Sequence, residues 1–221
     1  MNTQMTSPAG CGTHTPAAIR AGLPVSGNTG SAARSGTASC AQPARLSLAR
    51  LDSPLGELLL VSDEAGALRA LDFADYEVRL HRLLASHYGR VALTRTAAPV
   101  HLRDALGRYF AGELGALRGV AWATGGSVFQ RSVWRALTQI PPGETRSYGQ
   151  LAQALGLTDA ARAVGWANGS NPVALVVPCH RVIGADGSLT GYAGGLHRKA
   201  WLLAHEGVRG AAHLTGDLFG P

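Results

Sequence analysis

Along the 221-residue chain the spacing of apolar positions changes character several times. Residues 1–44 show no period: Ser, Thr, Ala, Gly and Pro dominate, and Asp and Glu are absent. Too little apolar area is present there to offset the ordering of the chain, so a disordered arm is expected. Short β-like runs follow at Leu46 to Leu51, Leu58 to Val61 and Leu68 to Phe73, separated by Ser53-Pro54-Leu55-Gly56 and Asp63-Glu64-Ala65-Gly66. They predict an antiparallel meander. The period then lengthens to that of a helix. Tyr76 to Tyr88 carries Val78, Leu80, Leu83 and Leu84 as an inward stripe, and Pro99 opens a second helix with Leu102, Leu106 and Phe110 on one face, closing near Gly112.

The small-residue stretch 113–126 reads as a linker to a second domain. Ser127 is an expected N-cap for a helix carrying Phe129, Val133, Trp134, Leu137 and Ile140, ended by Pro141-Pro142-Gly143. Ser147-x-x-Gln150 forms a capping box for a short helix from Tyr148 to about Leu155. Asp159 is expected to cap another, Ala160 to about Asn168, and two short helices across a tight turn predict a helix-turn-helix. The second of these exposes little beyond Ala160, Ala161, Ala163, Gly165 and Ala167, with Arg162 as its single charge. A helix reading base edges in the major groove needs several polar side chains, whereas this one suits close backbone approach to a narrow groove or plain tight packing. Gly169-Ser170-Asn171-Pro172 redirects the chain into Val173 to Val177, read as the strand that delivers Cys179. Turn-forming glycine clusters then lead to a last helix, Leu196 to about His205, holding Trp201, Leu202 and Leu203. The expected division is an arm at 1–44, domains at 45–120 and 126–211, and a tail at 212–221.

Composition narrows the class. With 46% hydrophobic residues the chain can bury one large or two small cores. No apolar stretch reaches the length of a membrane span. Three cysteines are too few and too scattered for a disulfide framework, which points to a reducing compartment and a cytoplasmic protein. Cys11-x-x-His14 with Cys40 offers only three metal ligands in a tail, a weak zinc signal. The formal charge of +6 favours a polyanionic partner, and the excess lies in the second half, where residues 126–211 hold eight Lys/Arg against four acids.

The chemistry centres on Pro178-Cys179-His180-Arg181. A thiol beside a base at the edge of an apolar run is either a buried structural cysteine or an activated nucleophile, since the thiolate is the attacking form and needs a base or cation to produce it. Glu206 stands in the last turn of the final helix, where a carboxylate opposes the helix dipole and calls for a local partner. His180 suits that role, because a carboxylate on one ring nitrogen leaves the other free to accept a proton.

Six stretches in order resemble the O6-alkylguanine-DNA alkyltransferases: Ser147-Tyr148-Gly149-Gln150-Leu151-Ala152, Ala161-Arg162-Ala163-Val164-Gly165, Asn171-Pro172-Val173, Pro178-Cys179-His180-Arg181-Val182-Ile183, Gly191-Tyr192-Ala193-Gly194-Gly195 and Trp201 to Gly207. They cover about residues 127–207, with a looser match from Ser53-Pro54-Leu55-Gly56 through the first half. The resemblance implies an α+β chain: a small antiparallel N-terminal sheet with helices, ribonuclease H-like in the family, and a mostly helical, winged-helix-like C-terminal domain with the helix-turn-helix. It implies that Cys179 takes an alkyl group from guanine O6 in double-stranded DNA, once and permanently, with the base flipped out from the minor-groove side. O4-methylthymine would be a possible second substrate. His180 would accept the thiol proton through a water, Glu206 would orient His180, Tyr148 would rotate the nucleotide and protonate the leaving base, and Asn171 would brace the thiol segment. Arg162 would fill the duplex gap, with Ala161, Ala163, Gly165, Ser170 and Tyr148 against DNA and Val182, Tyr192, Ala193 and Gly194 lining the base pocket. The family works as a monomer and calls for no metal or organic cofactor.

Three departures stand out. Trp166 replaces a small residue, Ala193 stands where some relatives have serine, and the arm matches nothing in the family. Rival functions are a non-catalytic lesion-binding relative, disfavoured by the presence of Cys179, a Cys-His thiol hydrolase, and a transcription factor, disfavoured by the bare helix.

Overall fold

The computed structural model describes residues 45–209, so the expected arm, including Cys11, His14 and Cys40, lies outside the described residues. Strands β1 (Leu46–Leu51), β2 (Leu58–Asp63) and β3 (Leu68–Phe73) form the predicted antiparallel meander. A short fourth strand, β4 (Leu93–Arg95), lies parallel to β1, so the sheet is mixed, in the order β3-β2-β1-β4. Three residues with two charged or polar side chains outside any apolar alternation leave no sequence signal for β4.

Leu58-Leu59-Leu60-Val61 is apolar without a break because β2 is covered on both faces. Leu59 and Val61 pack with Leu80, Leu84 and Tyr88 of α1 (Glu77–Tyr88). Leu58 and Leu60 face the larger core with Leu102, Leu106 and Tyr109 of α2 (Val100–Phe110). The α1 stripe is shifted from the expected one: Val78 is 86% exposed and Leu83 half-buried, since α1 begins after a single 3-10 turn at Ala74–Tyr76 and rotates Tyr88 inward.

The stretch read as a linker is packed. A 3-10 turn at Ala116–Gly119 buries Ala116 and Leu117, and Val120 and Ala123 follow them into the core. Leu68 N–H donates to the Ala121 carbonyl at 2.9 Å and Ala123 N–H to the Leu68 carbonyl at 3.0 Å. Further along β3, Leu71 N–H donates to the Pro172 carbonyl at 2.8 Å and Ala174 N–H to the Leu71 carbonyl at 3.0 Å. The open edge of β3 is thus closed by two segments of the second half, which satisfies its backbone and anchors the chain leading to Cys179.

Helices α3 (Val128–Leu137), α4 (Tyr148–Ala154), α5 (Ala161–Gly169) and α6 (Leu196–His205) build that half. Both serine capping boxes form, Ser127 with Gln130 and Ser147 with Gln150. The expected Asp159 cap does not: Asp159 takes a left-handed φ of 54° and Ala160 precedes α5 with no side-chain cap. Arg146–Ser147 (β5) and Val182–Ile183 (β6) pair in parallel. Val173 to Val177 is no strand. Leu175 at φ 67° and the Val177 N–H to Val173 carbonyl bond of 3.0 Å fold it into a tight turn, followed by a 3-10 turn at Cys179–Arg181.

The two halves share one core in which Phe73 and Leu106 join Trp134, Val164, Val177 and Leu202. Among the described residues no helix is long and apolar enough to cross a membrane. Ser127→Ala removes the acceptor for Gln130 N–H and is expected to cost about 1 kcal/mol in urea unfolding; no measurable loss would show that the core alone holds the start of α3.

Candidate functional site

Cys179 sits at the start of its 3-10 turn and is buried, with 5% of its surface exposed. Asn171, in the turn after α5, donates from Nδ2 to Cys179 Sγ at 3.1 Å and to the Val177 carbonyl at 2.8 Å, while its Oδ1 accepts Val173 N–H at 3.0 Å. One amide therefore holds both ends of the turn and touches the sulfur. Burial pushes the thiol up; the Asn171 amide, then Arg79 and Lys199, act against it. At rest the group is a thiol, and a proton acceptor has to act during any reaction.

A candidate acceptor is next in the chain. His180 Nε2 lies 3.0 Å from Glu206 Oε1, so Nε2 carries the proton shared with the carboxylate. Nδ1 is buried and has no hydrogen-bond partner among the described residues, which makes it the basic nitrogen. Burial lowers the imidazole below its ordinary value against the pull of Glu206, so His180 is neutral at neutral pH. Glu206 follows the last residue of α6 and is buried by a cluster that sequence reasoning missed. Arg181 donates twice to it, Nε to Oε2 and Nη2 to Oε1, each at 2.7 Å, and Tyr109 O–H donates to Oε1 at 2.7 Å. Burial alone would raise the carboxyl; the His180 and Arg181 contacts outweigh it and hold Glu206 well below the carboxylate range. Burial, followed by the negative neighbour, pushes the Tyr109 phenol far up, so it serves as a fixed donor.

Lys199 was also missed. Its side chain is fully buried, and Nζ donates to the carbonyls of Val182 at 2.5 Å and Thr190 at 2.6 Å. With no carboxylate to hold the charge, burial lowers the ammonium to about 8. It ties β6 to the loop carrying Tyr192, Ala193 and Gly194. Within that loop Tyr192 stands edge-on to His180 at 6.4 Å, with its hydroxyl buried and without a hydrogen-bond partner among the described residues, and its phenol raised by burial. Gly194 has no room for a side chain, since a Cβ would fall 2.6 Å from the Phe73 ring. Val182 is buried and Ala193 half-buried beside them.

The remaining expected residues form a separate surface. Tyr148 opens α4, takes a hydrogen bond from Thr190 Oγ1 at 3.3 Å and lies over Gly165 of α5. Ala161, Arg162 and Ala163 are exposed, and Ser170 receives Gln130 Nε2 at 3.0 Å. Tyr148, Arg162, Gly165 and Ser170 line a groove that Cys179 does not reach; Asn171, the next residue after Ser170, separates it from the sulfur.

Residues 128–208 match the family model described as "6-O-methylguanine DNA methyltransferase, DNA binding domain", and residues 47–121 its "ribonuclease-like domain". A methylated-DNA–protein-cysteine methyltransferase of Salmonella typhimurium is 52% identical over 165 residues, 74% of this chain and 96% of the relative. The chain belongs to the methylated-DNA–protein-cysteine methyltransferase family. A namesake from Methanosarcina acetivorans is 46% identical over 71% of this chain and 95% of its own length. Among solved structures, Mycobacterium tuberculosis OGT in complex with DNA superposes with a TM-score of 0.64 at 40% identity, covering 77% of this chain and 99% of that one.

In this member of the family, signals for the missed residues existed. Lys199, Leu202, Leu203 and Glu206 fall on one helical face, so a lysine and a glutamate on an inward stripe marked two buried charges. Tyr109, 97 residues from Glu206, carried no such mark. Glu206→Gln would leave Arg181 buried beside a neutral amide and is expected to cost about 3–5 kcal/mol at pH 7 in chemical unfolding. Because the folded carboxyl is depressed, the stabilisation is complete above its unfolded value and fades as pH falls below it. The gap between wild type and variant should therefore narrow in acid; a gap independent of pH would contradict the charged assignment.

Proposed function

We infer that this chain repairs DNA by moving the alkyl group of O6-alkylguanine onto its own Cys179. The observation that carries the mechanism is a pair of contacts on neighbouring residues, Asn171 on the Cys179 sulfur and Glu206 on His180, with the sulfur protonated at rest and a neutral imidazole next in the chain. A guanine O6 inside a stacked duplex is out of reach of a buried thiol, so the base rotates out of the helix toward Val182, Tyr192, Ala193 and Gly194, which would line its site. Arg162, at the exposed face of α5, fills the space left behind, and the small surface of Ala161, Ala163 and Gly165 lets the α5 backbone approach the minor groove.

The atoms balance as follows. The Cys179 thiol proton passes through a water to His180 Nδ1, and Glu206 stabilises the resulting imidazolium. The sulfur bonds to the alkyl carbon as the carbon–O6 bond breaks, and Tyr148 supplies a proton to guanine N3 so that a neutral base leaves. The imidazolium releases its proton to solvent and the Tyr148 phenolate takes one up, which restores both groups. A thioether has no easy hydrolytic exit, so each molecule acts once. The protein acts as a monomer in the cytoplasm, with residues 45–120 as the N-terminal domain and 126–211 as the DNA-binding and acceptor domain.

The test is incubation with duplex DNA containing O6-methylguanine, followed by mass spectrometry of the protein. One methyl on the Cys179 peptide is expected. Cys179→Ala should abolish transfer and retain duplex binding; release of methanol without an adduct would mean a hydrolase, and tight lesion binding without an adduct a non-catalytic relative. The pH profile gives a second check. Since His180 is depressed below its ordinary value of 6.5, the transfer rate at saturating DNA should stay level from pH 8 to 6.5 and fall only below it. A midpoint above 6.5 would remove His180 as the base.

A further inference from the structure

The groove beside α5 has a second wall that the alkyl-transfer mechanism leaves unused. It encloses about 660 Å³ between α5 and α1, bounded by Arg162, Gly165 and Trp166 on one side, Arg82 and Leu83 on the other, and Tyr148 at its base. No carboxylate lines it. Arg82 is exposed, and neither Arg82 nor Arg162 has a hydrogen-bond or ion-pair partner among the described residues. Trp166 is 79% exposed, four residues after Arg162 and so on the same side of α5. An indole left this open on a helix otherwise bare of side chains is an unpartnered apolar surface.

The α1 wall is fixed to α5. Arg79, one turn before Arg82, is paired with Asp72 and donates from Nη2 to the carbonyls of Gly169 at 2.9 Å and Asn171 at 3.0 Å. These contacts satisfy the end of α5 and hold the two helices in register, so Arg82 keeps its place across the groove from Arg162.

We propose that α1 is a second DNA-contacting element, and that the α1–α5 groove takes the sugar–phosphate backbone of the strand flanking the lesion, with Arg82 on a phosphate and Trp166 packed against the adjoining sugar. Two guanidiniums that line one groove, neither with a partner among the described residues, match an anionic chain, and the exposed Trp166 indole beside them matches its apolar edge. The inference rests on the DNA reading above and extends it to the N-terminal half.

The experiment is binding of the whole protein to an undamaged labelled duplex over a series of salt concentrations. Each phosphate contact contributes about 0.9 to the slope of log affinity against log salt. Arg82→Ala should reduce the slope by about that amount, Arg82→Lys should restore it, and Arg103→Ala, an exposed α2 arginine outside the groove, should leave it unchanged. Trp166→Ala should weaken binding several-fold at every salt concentration with no change of slope, because an indole displaces no counterions. An Arg82→Ala slope equal to wild type would overturn the proposal. So would deoxynucleoside monophosphate binding that depends on Arg82 while duplex affinity does not. Methyl transfer is measured on the same preparations: its absence from wild type would overturn the alkyl-transfer reading and leave the salt slopes to decide the groove.

Discussion

Glu206 is the charge around which the site is arranged. A carboxylate with almost no exposure is tolerable only when its partners hold it ionised, and Arg181, His180 and Tyr109 occupy its oxygens together. Its position after the last residue of α6 would otherwise be unfavourable next to the helix dipole. In return the carboxylate fixes the His180 tautomer and keeps Arg181, which also donates to the Ile140 carbonyl, from being an orphaned cation. Tyr109 comes from the first half, so the base of the second half is set by a donor on the other side of the shared core.

The same dependence recurs at the sulfur. The turn carrying Cys179 is shaped by Asn171, and the stretch containing Asn171 is fastened to the edge of β3 and to Arg79 of α1. The N-terminal half therefore does more than fill space: its sheet edge, its Arg79 and its Tyr109 all bear on the cluster around Cys179 and Glu206. The cluster of Cys179, His180 and Glu206 is buried, where hydrogen bonds are strong and unpaired charge is costly. The α5 face is exposed, poor in side chains and free of acids along its groove. Asn171 joins the two regions.

Much of this was legible along the chain because it is local. Ser127-x-x-Gln130 and Ser147-x-x-Gln150 specify their own helix starts through hydrogen bonds three residues apart. Three strands follow from apolar runs between turn residues, and the ordered motifs from Tyr148 to Glu206 identify the family. The partnership of His180 with Glu206 was readable from a carboxylate at an unfavourable helix end. Other features misled for physical reasons. Val173 to Val177 has the composition of a strand but folds as a turn, because Asn171 binds its two ends. Residues 113–126 have the composition of a linker, yet Leu117, Val120 and Ala123 supply enough apolar area to pack.

By itself the sequence determined most of the local elements and set a thiol beside an imidazole at Cys179-His180, since each depends on neighbours within a few residues. Only the tertiary structure decided that Arg181 and Tyr109 share Glu206, that Lys199 is buried on two carbonyls, that β4 completes a mixed sheet and that α1 stands across a groove from Arg162. Those contacts join residues as many as 97 positions apart, and no periodicity records which distant side chains the packing of the two halves will bring within hydrogen-bond reach.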